Sequence, residues 1–125
     1  MFTSLKLRFT DWLTHAERMD LFEMANLSAE DTGIPGLIIW ISVGAVEGKR
    51  LRHGPRVKVA RGTKVTARNM MTVSLWPPRL LYGDQTSDEM DKLSRWLNLN
   101  RDVIEAYWNE ELLTRQVLER LRPLP

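Results

Sequence analysis

Residues 56–60 read Arg56-Val57-Lys58-Val59-Ala60, an alternation of cation and valine, and this short stretch decides the fold. Side chains of a strand point to opposite faces with a period of two, so Val57 and Val59 go to one side and Arg56 and Lys58 to the other. The reading is a half-buried strand whose outer face is cationic. Pro55 suits its first position, where a missing N–H costs the ladder least. Downstream, Met71-Thr-Val-Ser-Leu75 alternates in the same way, with Met71, Val73 and Leu75 inward. Trp76-Pro77-Pro78 ends that strand, because consecutive prolines cannot donate to a ladder. Upstream, Leu37-Ile-Ile-Trp-Ile-Ser-Val43 is rich in β-branched residues and apolar on both faces, as expected of a central strand covered by helices. Gly44 to Gly54, with its own glycines and the cluster Lys49-Arg50-Leu51-Arg52, reads as a loop.

Helices are expected on both sides of these strands. Thr14-His-Ala-Glu17 has capping-box spacing, and a helix over about residues 15–26 is expected to follow it. Thr86-Ser-Asp-Glu89 is a second capping box, ahead of the apolar face Met90, Leu93, Trp96 and Leu97. Asn100 then reads as the N-cap of a helix burying Val103, Ile104, Tyr107 and Trp108. Thr114 reads as the cap of a last helix bearing Val117, Leu118 and Leu121. The expected fold is a single α+β domain over residues 1–125. A small three-stranded, mainly antiparallel sheet is packed by an N-terminal helix and C-terminal helices.

The composition fits one folded domain: 125 residues, 43% hydrophobic and 27% charged, which excludes disorder and fibrous repeats. With no cysteine, disulfides, thiolate zinc sites and a cysteine nucleophile are excluded. Two histidines, His15 and His53, are too few for a His-rich metal site, and no cofactor is implied. No apolar run approaches the roughly 18 residues of a membrane span, and Met1 to Thr10 has no signal-peptide core. The expectation is a soluble, cytoplasmic domain without a membrane partner.

Charge is segregated along the chain. Residues 48–83 carry nine cations (Lys49, Arg50, Arg52, Arg56, Lys58, Arg61, Lys64, Arg68 and Arg79) and no acid, while both flanks are net acidic. One reading is an anion-facing surface for nucleic acid or an acidic protein partner. The other is that the acidic flanks fold against the block and neutralise it internally. Trp76, beside Pro77-Pro78 and Arg79, is the tryptophan expected to be partly exposed, and an exposed aromatic beside cations can stack a base. Trp40, Trp96 and Trp108 are expected in the core. Glu30-Asp31 fits a turn cap better than a cation site. The candidate binding set is Lys49, Arg50, Arg52, His53, Arg56, Lys58, Arg61, Lys64, Arg68 and Trp76.

Three segments carry a resemblance. They are His53-Gly-Pro-Arg-Val-Lys-Val-Ala-Arg-Gly62, Pro78-Arg-Leu-Leu-Tyr-Gly83, and Arg95 to Arg101 with its Trp96-x-x-x-Asn100-Arg101 pattern ahead of Tyr107-Trp108. Over about residues 37–110 the chain resembles a group of small uncharacterised bacterial proteins encoded in toxin–antitoxin-like gene arrangements. The resemblance implies a bacterial, cytoplasmic setting. Members of that group often carry His at the positions of Arg56 and Lys58, a departure that argues against a His-based activity here. Together these readings point to a regulatory or toxin–antitoxin-type module that acts by binding. The alternatives are a metal-independent ribonuclease using His53 with Arg56 and Lys58 on the phosphate, and a protein-interaction domain with a neutralised basic block.

Overall fold

A computed structural model describes residues 24–46, 49–62 and 69–125 of the chain. The expected capping box at Thr14–Glu17, His15, and the cations Lys64 and Arg68 lie outside the described residues. Strands β1 (Met24–Leu27), β2 (Leu37–Ser42), β5 (Arg56–Arg61), β6 (Met70–Ser74) and β7 (Arg79–Tyr82) form one antiparallel sheet in the order β1-β2-β5-β6-β7. Between β2 and β5 the chain makes a separate two-stranded ribbon, β3 (Ala45–Val46) and β4 (Lys49–Arg50). One helical turn, α1 (Ala29–Thr32), joins β1 to β2, and three helices follow the sheet: α2 (Ser87–Leu99), α3 (Arg101–Trp108) and α4 (Thr114–Arg120).

The three expected strands are present, antiparallel and adjacent, but the sheet has five strands rather than three. Both additions are edges. The segment Met24–Leu27 is strand where the end of a helix was expected: Ala25 pairs with Ile41 and Leu27 with Ile39, so its period of two buries Ala25 and Leu27. The rest of that expected helix, residues 15–23, falls outside the described residues. Strand β7 follows the two prolines, and a register shift at Thr72/Val73 leaves Leu81 as an extra residue between Leu80 and Tyr82. A bulge of this kind breaks the alternation that marks a strand in sequence. The expected loop at 44–54 likewise contains the β3–β4 ribbon.

One face of the sheet and the three C-terminal helices share a single core. Leu27, Ile39, Ile41, Val57, Val59, Met71 and Val73 pack with Leu93, Trp96 and Leu97 of α2, Val103, Ile104 and Tyr107 of α3, and Val117 of α4. The Thr86 capping box opens α2 as expected: the Glu89 N–H donates to Thr86 Oγ1 (3.1 Å) and the Thr86 N–H donates to Glu89 Oε1 (2.8 Å). Asp31 Oδ2 accepts from the Ser28 N–H at 2.9 Å, so Asp31 is a backbone cap of α1.

Two expected caps differ. Asn100 is fully buried, and its side chain makes no capping bond to α3; it holds the Trp96 carbonyl and the backbone of Arg122 instead. Thr114 is the first residue of α4 rather than its cap, and its hydroxyl meets the Tyr107 hydroxyl at 2.8 Å.

Candidate nucleic-acid interface

Strand parity sorts the basic block. Lys58 lies between Trp40 of β2 and Thr72 of β6, and Asn26 and Tyr82 complete a row across all five strands: Asn26, Trp40, Lys58, Thr72, Tyr82. Beside it, Arg56 pairs with Ser74, which pairs with Arg79. These residues alternate with Val57, Val59 and Val73, so they occupy the face opposite the one on which α2, α3 and α4 pack. None of them belongs to the core cluster. The third row, Ile38, Ala60 and Met70, is apolar. Ala60 and Thr72 are buried, Trp40, Arg56 and Lys58 half-buried, and Arg79 and Tyr82 exposed.

Lys58 donates to Thr72 Oγ1 at 2.9 Å. Burial lowers its pKa below the ordinary lysine value, and the nearby Arg56 cation lowers it further. Both causes disfavour the charged ammonium, and an anion set between the two cations relieves the second. Among the described residues, neither Arg56 nor Lys58 has an acidic partner.

Arg61 is placed differently, and its odd number explains why. It continues the face of Val57 and Val59, opposite Leu37, and so turns toward α2. There its Nε and Nη2 donate to Glu89 at 2.7 Å each, and Nη2 also donates to the Asp84 carbonyl at 2.9 Å. A two-pronged guanidinium–carboxylate pair is the strong form of such contacts. The Arg61 hydrogen bonds hold the Glu89 carboxyl at about 2. This arginine is neutralised within the domain and leaves the binding set.

The remaining candidates lie elsewhere. Arg50 donates to the Trp108 carbonyl at 3.3 Å and approaches Glu110 at 3.6 Å. His53 is exposed, its Nδ1 lies 2.8 Å from the Gly54 carbonyl, and its ring centroid is 5.9 Å from that of Trp108. Lys49 and Arg52 are exposed. Trp76 is half-buried and packs against the core. Its ring carries the Arg101 guanidinium, 4.8 Å from the centroid, a cation–π contact made within the chain. Trp76 is therefore occupied by its own domain and is not part of the cationic face. The aromatics that do share that face are Trp40, which its apolar strand had assigned to the core, and Tyr82, which sits on an unforeseen strand. Period-two counting from Ile39 and Ile41 already places Trp40 opposite them.

No group of His, Cys, Asp or Glu among the described residues converges as a metal site. No described helix is long and apolar enough to cross a membrane. Compared with known proteins, the chain matches no family model, no curated protein and no solved structure.

Proposed function

We propose that the chain is a small binding module that holds single-stranded nucleic acid across the face of β2, β5, β6 and β7, in a regulatory role of the toxin–antitoxin type. The observation that carries this reading is the row Trp40, Lys58, Thr72, Tyr82 with Arg56 and Arg79 beside it. Sequence-tolerant binding of single strands combines cations that follow the backbone with aromatic rings on which bases stack. Arg56, Lys58 and Arg79 supply the first. Tyr82 and Trp40 supply the second. A single strand fits better than a duplex, because a duplex hides its bases from rings on a flat sheet. Arg61 and Arg50, already paired with carboxylates, supply little.

The test is anisotropy of labelled RNA and DNA oligonucleotides of roughly ten nucleotides. Three phosphate contacts on a single strand give a salt slope of about −2, or a loss of about 20-fold in affinity between roughly 50 and 200 mM salt. The double variant Arg56→Glu/Lys58→Glu is expected to lose binding while its unfolding midpoint stays near that of the parent. Wild-type binding indifferent to salt, or unchanged in the double variant, refutes the reading. RNA cleavage that disappears in His53→Ala would replace it with the catalytic alternative.

A further inference from the structure

The two edges of the sheet are not alike. Strand β1 packs against α1 and α4. Strand β7 pairs with β6 on one side and, among the described residues, with no strand on the other, and all four of its residues are exposed. Leu80, Leu81 and Tyr82 are 40%, 51% and 61% exposed, so the edge offers three consecutive large apolar side chains. Folded proteins ordinarily blunt such edges with charge, proline or a covering element, because an unpaired row of N–H and C=O groups is a template for another strand. Between Arg79 and Asp84 the sequence is Leu-Leu-Tyr-Gly, with no charge and no proline.

We infer that β7 is the contact strand of a two-fold homodimer, pairing antiparallel with β7 of a second copy. The charge pattern of the edge selects this occupant. Arg79 opens the strand, and Asp84 stands just beyond its end; its carboxylate lies 3.8 Å from Arg61 of its own chain, but its side chain stays 95% exposed and open to a second cation. Antiparallel self-pairing turns the cationic end of each copy toward the acidic end of the other, so one complementarity is used twice. Parallel pairing would set Arg79 beside Arg79. A two-fold contact needs a surface complementary to itself, and an edge with opposite charges at its two ends has that property. The bulge contributes as well. Leu81 has no partner on β6, which leaves it free to pack across the new seam with Leu80 of the second copy. The contact is small, so dissociation in the micromolar range is expected.

Sedimentation equilibrium of the full chain alone, from low to high micromolar, reads the assembly without nucleic acid and thus independently of the proposed binding face. The expected result is a monomer–dimer equilibrium. Leu81→Lys should abolish it. Arg79→Glu should weaken it at least tenfold by setting like charges together, and Arg79→Glu combined with Asp84→Lys should restore it. Hydrogen exchange on the unmodified chain gives a second readout, with protection of the β7 amides rising with protein concentration. A monomer at every concentration, a dimer indifferent to Leu81→Lys, or β7 exchange independent of concentration overturns the inference.

Discussion

The side-chain amide of Asn100 holds the backbone of Arg122 from both sides. Nδ2 donates to the Arg122 carbonyl at 2.9 Å, and the Arg122 N–H donates to Oδ1 at 2.8 Å. Nδ2 also donates to the Trp96 carbonyl at 3.0 Å, so one fully buried side chain joins the end of α2 to the chain beyond α4. The Arg122 guanidinium reinforces the joint by donating to Asp102 Oδ2 at 2.8 Å. That bond holds the Asp102 carboxyl below its ordinary range.

Removing the amide takes the side-chain partners from the part-buried Arg122 N–H and carbonyl, while the Trp96 carbonyl keeps the Asn100 backbone N–H. A lost partner of this kind costs about 1–3 kcal/mol where water cannot replace it. Asn100→Ala is expected to lose about 3 kcal/mol in urea unfolding. Asn100→Asp keeps the acceptor for the Arg122 N–H and loses both donated bonds, so it should not rescue stability at neutral pH.

Glu89 predicts an acid limb. Arg61 holds its carboxyl at about 2 against an ordinary 4.5, and the Thr86 backbone N–H adds to the effect while burial opposes it. The folded value lies below the unfolded one, so the stabilisation is full above about pH 4.5 and is lost as the pH falls toward 2. Glu89→Gln should be less stable than the parent above that window and converge with it at its lower end. Urea midpoints taken across the window check this, and curves that stay parallel would sink it.

Gly44 lies directly under Trp108. A Cβ at this position would stand 2.5 Å from Trp108 Cε2 and 2.7 Å from Nε1, while the Gly44 N–H donates to the Trp108 carbonyl at 2.8 Å. Gly44→Ala is therefore expected to cost about 1–3 kcal/mol as an overpacked contact. The same variant should shift tryptophan emission, and an unchanged melting curve would refute the close approach.

Two tryptophans are expected to behave oppositely. Trp96 is completely buried in the core cluster, and Trp96→Ala should cost about 3–5 kcal/mol. Trp40 lies on the opposite face beside Lys58, so Trp40→Ala should cost less than half as much. Its larger effect should be weaker oligonucleotide binding. Equal destabilisation by the two variants would place Trp40 in a core rather than on a binding face.

Much of this was legible in the sequence where structure is local. The alternation in Arg56–Ala60 and Met71–Leu75 reports a sheet with one wet and one dry face, and Thr86-Ser-Asp-Glu89 marks the start of α2 because both of its bonds span three residues. The edges were hidden for physical reasons. Met24–Leu27 is four residues long and follows a segment with helical spacing, and β7 carries a bulge that cancels its period. Distant partners were hidden too. Arg61 and Glu89 are far apart in sequence, and only the segregation of charge hinted that part of the basic block is neutralised at home. Asn100 has the residue type of a cap, but tertiary partners claim its side chain.

The packing of α4 against β1 bears on how the chain is made. Strands of the sheet leave the ribosome in the order in which they pair, with the turn α1 and the β3–β4 ribbon among the segments between them, so the ladder can close from near neighbours as it emerges. The cover for its apolar side comes afterwards. Val117, which joins the core from α4, and Leu124, whose N–H donates to the Thr32 carbonyl at 2.8 Å, are translated long after the strand and turn they contact. Until those residues emerge, the apolar side of the sheet lacks the cover that α4 and Leu124 give it, and exposed apolar surface of that kind makes a partly folded chain prone to aggregate.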